Sequence, residues 1–177
     1  MRMFLALKTS DEVRAELGKL QSTLRAVSRG RGTWTAPENF HLTLAFLGEI
    51  SMLQAQSLAE NLAGGLQRHG DFALTLDRTG FFNNPDSATV WCSVNPEKQL
   101  RALSDDCRRC ARQAGIRLEG SPFRAHITLG RKINILRCNL DELRPLPLSW
   151  QAGAVTLFKS TLRPEGPIYE EFASVEL

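Results

Sequence analysis

The amino-acid sequence predicts an α+β protein whose sheets are largely antiparallel. Three segments repeat apolar residues at the spacing of one helix face, at about 10–28, 51–69 and 97–114. Shorter strand-like segments lie before, between and after them, and two of these contain the same pattern, His-x-Thr-Leu. The resulting order is strand, helix, strand, helix, several strands, helix and several strands, which favours this fold class.

The first half of the chain has clear signals for the beginnings of its helices. Thr9-Ser10-Asp11-Glu12 supplies a capping-box pattern before the first helix, and Ser51-x-x-Gln54 opens the second, which we expect to end near Gly70. The apolar face of the first helix consists of Val13, Leu17, Leu20, Leu24 and Val27. The other predicted elements of this half are the strand Met3–Leu7, the loop Ser28–Pro37 and the strand Phe40–Phe46.

The second half consists mainly of short strands. Residues 72–77 alternate between apolar and polar types, which predicts a half-buried strand. Thr79–Ser87 is rich in turn-forming residues and is predicted as a loop, and Lys132–Leu148 is predicted to be irregular because of its prolines and mixed charges. The remaining predicted elements are the strand Thr89–Val94, the helix Glu97–Ala114, the segment Pro122–Gly130 with the second His-x-Thr-Leu, and the closing strands Ala154–Phe158 and Tyr169–Val175.

Length and composition are those of a single globular protein. The 177 residues suffice for one domain over 1–177, including one made of two lobes. Hydrophobic residues make up 42% and charged residues 23%, which disfavours overall disorder. The net charge of +3 does not by itself indicate a polyanion as partner. The N-terminal apolar run is too short for a signal peptide or a membrane span, so we expect a cytoplasmic protein without membrane contact. We also expect a monomer.

Cys107 and Cys110 have the C-x-x-C spacing of many redox and metal sites. Both fall on the apolar face of the predicted third helix, where a reduced cysteine behaves as a small hydrophobic side chain. The chain has four cysteines and no second C-x-x-C that would complete a zinc site. We therefore expect the cysteines to be structural, and we expect neither a metal nor another cofactor.

The pattern His-x-Thr-Leu begins at His41 and again at His126, so two of the three histidines share one local sequence. Side chains alternate along a strand, which puts His41 and Thr43 on one face and likewise His126 and Thr128. The opposite face of the first strand is predicted to be apolar and to consist of Phe40, Leu42, Leu44 and Phe46. Two such strands side by side would bring two imidazoles and two hydroxyls together. His69 lacks this context and is predicted to be a surface residue near a helix terminus.

This set of groups suits displacement at phosphorus. Opening a phosphate ester with water needs a base for the proton of the water and an acid for the departing oxygen, on opposite sides of the phosphorus. Two histidines fill these roles at neutral pH because the ordinary pKa of imidazole is about 6.5. Threonine hydroxyls donate hydrogen bonds to the non-bridging oxygens, where charge accumulates. The reaction requires no metal.

The longer context of the two motifs resembles the two-histidine (2H) phosphoesterase superfamily, and most closely its RNA 2′,3′-cyclic phosphodiesterase branch, also called the 2′-5′ RNA ligase family. The segments that carry the resemblance are, in order, FHLTLAFLGEI, the TVW strand, PFRAHITLGR and LFKSTLRPEGPIYE. The resemblance implies a bilobal α+β fold, with two similar lobes, mainly antiparallel sheets and outer helices around a central cleft. It further implies metal-independent hydrolysis of RNA 2′,3′-cyclic phosphate ends to 2′-phosphates, accompanied by reversible 2′-5′ ligation.

The resemblance also implies roles for individual residues. His41 becomes the acid toward the leaving O3′ and His126 the base, while Thr43 and Thr128 hold the phosphate. Arg131 follows the second motif and would pair with phosphate. Strict alternation, however, puts Arg131 on the face opposite His126, so it reaches the site only if the strand ends or bulges near Gly130.

Three aromatic residues and one loop are candidates for contacts with the substrate. Stacking on a terminal base or ribose is one interpretation of the aromatic residues, and packing against the core is the other. The aromatic candidates are Phe4, Phe123 and Tyr169. The loop with Arg29, Arg31 and Trp34 is a candidate for binding RNA upstream of the end, or else a solvated loop.

Other functions stay open at this point. A non-catalytic RNA- or nucleotide-binding module would keep the cleft, although binding alone does not need an acid and a base. A metal site at the two histidines lacks further ligands at suitable spacing. Within the phosphodiesterase interpretation, cyclic-ended RNA, 2′-5′ oligonucleotides and small cyclic nucleotides are all compatible substrates.

Overall fold

The computed structural model describes residues 1–28, 32–118, 120 and 122–177, and these contain three α-helices and nine strands. The helices are α1 (Asp11–Val27), α2 (Met52–Gly65) and α3 (Glu97–Gln113). The strands are β1 (Arg2–Lys8), β2 (Thr33–Trp34), β3 (His41–Glu49), β4 (Phe72–Phe82), β5 (Ala88–Asn95), β6 (His126–Ile133), β7 (Ser149–Ala152), β8 (Ala154–Arg163) and β9 (Gly166–Glu176). The predicted α+β class is confirmed.

The strands form two halves that meet in the middle of one sheet. The strand order is β7-β4-β5-β6-β3-β1-β8-β9, with β2 pairing to β6, and the neighbouring strands are antiparallel. The first lobe contains β3, β1, β8 and β9, and the second contains β7, β4, β5 and β6. The lobes join where Leu42 of β3 pairs with Ile127 of β6. The His-x-Thr strand of each lobe is therefore its innermost strand.

Two of the helices cross from one lobe to the other. Helix α1 follows β1 of the first lobe but packs on β6 of the second, and α3 follows β5 of the second lobe but packs on β3 of the first. Their apolar faces, with Leu17 and Leu24 in α1 and with Leu100 and Leu103 in α3, are fully buried. This exchange ties the lobes together and places a helix behind each motif-bearing strand.

The predicted helix starts are confirmed, and α2 is shorter than expected. The Ser10 hydroxyl accepts from the backbone of Val13, and Ser51 and Gln54 form a reciprocal capping box. Helix α2 ends at Gly65 and not near residue 69, because two consecutive glycines at its end have low helix propensity. Within the described part of the chain, no helix combines the length and apolar character needed to cross a membrane.

Three strand segments differ from the sequence prediction. Strand β4 continues to Phe82, through half of the predicted loop Thr79–Ser87, because a bulge at Asp77–Arg78 interrupts the alternation that marks a strand. Strand β2 lies inside the predicted loop Ser28–Pro37, and β7 lies in a segment without a predicted element. Both are short and are recognisable only through their partner strands.

Candidate active site

The two His-x-Thr segments lie side by side on adjacent strands where the lobes join. Because β3 and β6 are antiparallel and Leu42 pairs with Ile127, continuing this register by one residue brings His41 opposite Thr128 and Thr43 opposite His126. Leu42 and Ile127 are fully buried, whereas the four polar side chains are half-buried on the other face. The sequence prediction that the histidines and threonines share a face is confirmed.

Each imidazole is held by a backbone carbonyl two residues before it. Nδ1 of His41 lies 2.7 Å from the carbonyl oxygen of Asn39, and Nδ1 of His126 lies 2.7 Å from that of Arg124. A carbonyl only accepts, so Nδ1 carries a proton in both rings and Nε2 is the atom that gains or loses one. Nε2 of His41 lies 2.9 Å from the Thr43 hydroxyl, which donates to it when the ring is neutral.

Both imidazoles are less basic than histidine in water. Burial lowers the pKa of His41 from 6.5 to about 4, the Asn39 carbonyl opposes this shift, and the charges of His126 and Arg131 add to it. Burial also lowers the pKa of His126, against the effect of the Arg124 carbonyl and with that of the Arg131 and Arg124 charges. At neutral pH both rings are therefore neutral. An anion bound at the site would stabilise the imidazolium forms and so raise the pKa of both histidines.

Each strand has two register shifts, and the β-bulge that lies next to the motif changes which side chains face the cleft. In β3 the bulge residue is Leu44, since Thr43 pairs with Ala6 and Ala45 with Leu5. In β6 it is Leu129, since Thr128 pairs with Trp91 and Gly130 with Val90. An extra residue reverses the alternation beyond it.

The residue five positions after each histidine consequently turns toward the cleft. Phe46 was expected in the core, but its side chain is 63% exposed and contacts Phe4, whose ring centroid is 6.4 Å away. Arg131 meets the condition set by the sequence, a bulge near Gly130, and its charge lowers the pKa of both histidines. The two strands thus present equivalent positions with different chemistry, an aromatic ring in one and a guanidinium in the other.

Polar side chains from the exchanged helices support both bulges. Ser104 of α3 donates its hydroxyl to the carbonyl of Leu44 at 2.6 Å. Gln21 of α1 donates to the carbonyl of Leu129 at 2.9 Å and to that of Thr35 at 2.7 Å. Both donors are buried, and a buried carbonyl freed by a bulge needs such a partner. The roles of Gln21 and Ser104 could not be predicted from the sequence, because nothing local marks a polar residue on a buried helix face as a support for a strand.

Aromatic side chains surround His41. The ring centroid of Phe4 lies 4.8 Å from that of His41, and Tyr169 meets His41 edge-on at 5.3 Å. Phe158, which the sequence did not single out, stacks on Phe4 at 5.3 Å. Burial raises the pKa of Tyr169, and the positive charge of Arg131 opposes this shift. The phenol is therefore close enough to the guanidinium to interact with it electrostatically. Phe4 and Tyr169 therefore lie at the site, where they pack against a histidine.

A second aromatic group, formed by Phe82 and Trp91, surrounds His126. Phe123 is partly buried against the hydrophobic core. Phe82 meets His126 edge-on with centroids 5.0 Å apart, Trp91 lies 6.2 Å away, and the Arg124 guanidinium lies over Phe82 at 5.5 Å. Phe82 was not recognised from the sequence because it lies in the predicted loop Thr79–Ser87. Trp91 faces the cleft because it pairs with Thr128.

Other residues singled out in the sequence lie away from the cleft. His69 is only 11% exposed and bonds the Asp106 carboxylate at 2.7 Å, so its prediction as a surface residue at a helix terminus is wrong. Cys107 and Cys110 are buried in α3, as predicted. Trp34 packs on the core beneath the Arg25 guanidinium, and its loop partners Arg29 and Arg31 lie outside the described residues. In the described ranges no three histidine, cysteine or acidic side chains are grouped to hold a metal ion.

Comparison with known proteins shows the family. The model of the LigT like Phosphoesterase family matches residues 7–92 and 90–169, and each match contains one His-x-Thr segment. The chain therefore belongs to the LigT-like phosphoesterases, within the 2H superfamily. Its solved neighbours include the crystal structure of E. coli LigT complexed with 3′-AMP, with a TM-score of 0.83, 26% identity and coverage of 99% of this chain and 97% of that chain.

Curated relatives have one functional name in common. The RNA 2′,3′-cyclic phosphodiesterase of Thermotoga maritima is 31% identical over 179 residues, which cover 96% of this chain and 92% of that protein. The RNA 2′,3′-cyclic phosphodiesterase of Thermus thermophilus is 31% identical over 96% of this chain and 86% of its own length. The similarity extends over nearly all of each chain and includes both lobes.

Proposed function

We propose that this protein is a metal-independent RNA 2′,3′-cyclic phosphodiesterase that leaves a 2′-phosphate. The observation that carries the proposal is the antiparallel pairing of β3 with β6 at Leu42 and Ile127, whose register sets one imidazole and one hydroxyl from each lobe side by side. The names of the curated relatives support the substrate class. The geometry supports chemistry beyond binding, because a simple binding module has no use for two imidazoles whose Nε2 atoms can each gain or lose a proton.

In the proposed reaction, water attacks the phosphorus while the bond to O3′ breaks. Nε2 of His126 takes the proton of the water, and Nε2 of His41 gives its proton to O3′, so one proton enters and one leaves the pair. The O2′ bond stays intact, which yields a 2′-phosphate. An RNA 5′-hydroxyl in place of water gives a 2′-5′ linkage, and the reverse of that step regenerates the cyclic phosphate.

The bound phosphate prepares the site for this reaction. Its negative charge offsets the charge of Arg131 and raises the pKa of His41, so that the ring becomes protonated. A protonated Nε2 no longer accepts from Thr43, whose hydroxyl is then free to donate to a phosphate oxygen together with Thr128. Phe4 and Tyr169 hold the His41 ring in place. Phe123, one of the predicted stacking residues, is assigned no role.

The deciding experiment is product analysis on an oligonucleotide with a 2′,3′-cyclic phosphate end, in the presence of a chelator. We expect a 2′-phosphate as the only new end, with a bell-shaped pH dependence of the rate. His41→Gln and His126→Gln should each lower kcat by about 10²–10⁴-fold, the range for general acid–base catalysis. A 3′-phosphate product, or near-normal turnover in either variant, would refute the mechanism.

A binding measurement separates the enzyme from the alternative functions. Both histidine variants should still bind a cyclic-ended oligonucleotide, whereas a pure binding module would show neither turnover nor a difference between wild type and variant. Loss of turnover in chelator would point to a metal site. Parallel assays with a 2′-5′ dinucleotide and a cyclic mononucleotide rank the other compatible substrates.

A further inference from the structure

A cavity of about 360 Å³ adjoins His41 outside the cleft between the two histidines. It lies between the C-terminal end of β1, the 3₁₀ turn Pro37–Asn39 and the hairpin of β8 and β9. His41 and Tyr169 line the cavity and also belong to the cleft, whereas its lining includes no residue of the second motif. Its volume is within the range of small-ligand sites, which is roughly 300–1,000 Å³.

Hydrogen bonds between the surrounding elements fix the walls of this cavity. Asn39 donates its amide to the carbonyl of Pro167 at 2.9 Å and so joins the 3₁₀ turn to the hairpin. Thr9, which follows β1, donates its hydroxyl at 3.1 Å to the carbonyl of Phe40, which follows the same turn. The carbonyl of Asn39 also orients His41. The cavity and the histidine are therefore positioned by one structural unit.

The lining combines apolar surface with two cations and with the carboxylates of Glu38 and Glu171. Phe158, Ile168 and Tyr169 form the apolar part, and Ile168 is 48% exposed. Lys8 and Arg14 supply the positive charge. Apolar and aromatic surface next to cationic groups is the combination by which proteins bind a base and its phosphate.

The carboxylates that pair with the two cations are exposed. Lys8 pairs with Glu171, with both side chains about half exposed. Arg14 pairs with Asp11, which is 95% exposed, and its contact to the carbonyl of Thr9 is long at 3.5 Å. Nε of Arg14 has no acceptor among the described residues. Exposed pairs of this kind contribute about 0–1 kcal/mol, so a phosphate can replace them at little cost.

The chemistry of the cyclic end determines which part of the RNA lies beside His41. In a ribose ring C4′ is bonded to C3′ and carries C5′, so the phosphate that leads to the preceding nucleotide lies on the O3′ side. His41 is the group that protonates O3′ in the proposed function, and this inference rests on that assignment. We propose that the cavity beside His41 binds the nucleotide immediately upstream of the cyclic-ended one, with Lys8 and Arg14 at the phosphate between them.

The test compares two substrates that differ only in the upstream nucleotide. These are a ribonucleoside 2′,3′-cyclic phosphate and the dinucleotide that carries the same cyclic nucleotide at its 3′ end. The readout is the ratio of kcat/KM for the dinucleotide to kcat/KM for the mononucleotide. For the wild type we expect a ratio of about ten or more, equivalent to one charge-assisted hydrogen bond. Lys8→Gln and Arg14→Gln should each lower this ratio.

Two matched variants control for the loss of a surface charge. Lys159 pairs with Glu170 and Arg101 with Glu97, with exposures like those of Lys8 and Arg14, but neither lines the cavity. Lys159→Gln and Arg101→Gln should keep the wild-type ratio. Equal kcat/KM for both substrates in the wild type, or a ratio unchanged in Lys8→Gln and Arg14→Gln, would overturn the subsite and leave the proposed function intact. Failure of the wild type to hydrolyse either substrate would overturn the proposed function and the subsite together.

Discussion

Gln21 donates a hydrogen bond of 2.9 Å to the carbonyl of Leu129, the residue whose bulge turns Arg131 into the cleft. The donor belongs to α1 and the acceptor to β6, 108 residues further along the chain. Ser104 of α3 has the same relationship to Leu44 in the other lobe. Each helix that crosses between the lobes thus stabilises an irregularity in a strand that it did not follow in sequence. The exchange of helices couples the fold directly to the shape of the active site.

Replacement of Gln21 by Met should impair both stability and the position of Arg131. The carbonyls of Thr35 and Leu129 both lose their Gln21 donor, and among the described residues that of Leu129 keeps the backbone NH of Thr35. We expect the free energy of unfolding to fall by about 1–3 kcal/mol, the usual cost of a buried polar group without a partner. Chemical denaturation measures this change.

The matched variant Ser104→Ala separates stability from positioning. It removes the support of the β3 bulge and leaves that of the β6 bulge intact. NMR titration should show altered histidine pKa values in Gln21→Met, where Arg131 shifts, and a smaller change in Ser104→Ala. Identical titration curves for the two variants would contradict a specific link between Gln21 and Arg131.

Arg131→Gln should raise the pKa of both active-site histidines. The guanidinium charge lowers the pKa of His41 and that of His126, so its removal leaves burial as the main cause of the low values. Phosphate affinity should fall in the same variant by about tenfold or more, the equivalent of one charge-assisted hydrogen bond. A rise in histidine pKa together with weaker anion binding is an unusual pair of effects, and NMR titration with and without phosphate measures both.

Arg124→Gln is the natural comparison for this variant. The charge of Arg124 contributes to the low pKa of His126, whereas the causes identified for His41 do not include it. We therefore expect the pKa of His126 to rise in Arg124→Gln while that of His41 stays near its wild-type value. Equal pKa shifts of both histidines in this variant would contradict the prediction that the charge of Arg124 acts on His126 alone.

Phosphate binding at neutral pH should be coupled to proton uptake. In the free protein burial keeps the pKa of His41 at about 4, and a bound anion raises it because it stabilises the imidazolium. Between the two values the complex binds more protons than the free protein, so affinity increases as the pH falls from neutral toward 4. Calorimetry in buffers with different ionisation enthalpies should give a positive number of protons bound. His41→Gln should reduce that number, and an unchanged value would assign the uptake to another group.

The sequence allowed the central part of the site to be predicted because it depends on local alternation. His41 and Thr43 share a face by the geometry of any strand, and the second motif repeats this arrangement. The orientation of Phe46 could not be predicted, since it depends on a bulge at Leu44 whose carbonyl is stabilised by Ser104, 60 residues away. Phe82 and Trp91 were missed for the same reason. Their positions follow from the register between β4, β5 and β6 and not from their own neighbours in sequence.

Contacts between side chains that are far apart in the sequence were equally hard to foresee. His69 follows α2 in a segment that resembles an ordinary exposed helix end, and its partner Asp106 lies 37 residues later on α3. Aspartate is usually exposed, so an amphipathic pattern gives no reason to expect that Asp106 is buried. The cluster becomes visible only once α2 and α3 pack against each other.

Asp106→Asn should destabilise the protein without affecting its chemistry. The Asp106 side chain is 2% exposed and binds Arg68, His69 and Arg109. Desolvation raises its pKa, but the hydrogen bonds of Arg68 and His69 and the charge of Arg109 outweigh this, so the pKa is lowered from 3.8. The carboxylate therefore stabilises the fold above the unfolded pKa, and this contribution is lost as the pH falls through the folded pKa.

The neighbouring Asp105 provides the control for this variant, since it is exposed on the same helix. At neutral pH we expect Asp106→Asn to lower the free energy of unfolding by about 1–3 kcal/mol, because the arginines regain water while the buried amide keeps an incomplete set of partners. Asp105→Asn should change it by less than about 0.5 kcal/mol, as is usual for a surface substitution. Urea denaturation at pH 7 and pH 3 should show that the two variants differ less at the lower pH. Because the cluster lies on the outer helices, kcat/KM of the folded Asp106→Asn protein should equal that of wild type. A large loss of activity in fully folded Asp106→Asn protein would show that the cluster affects the cleft.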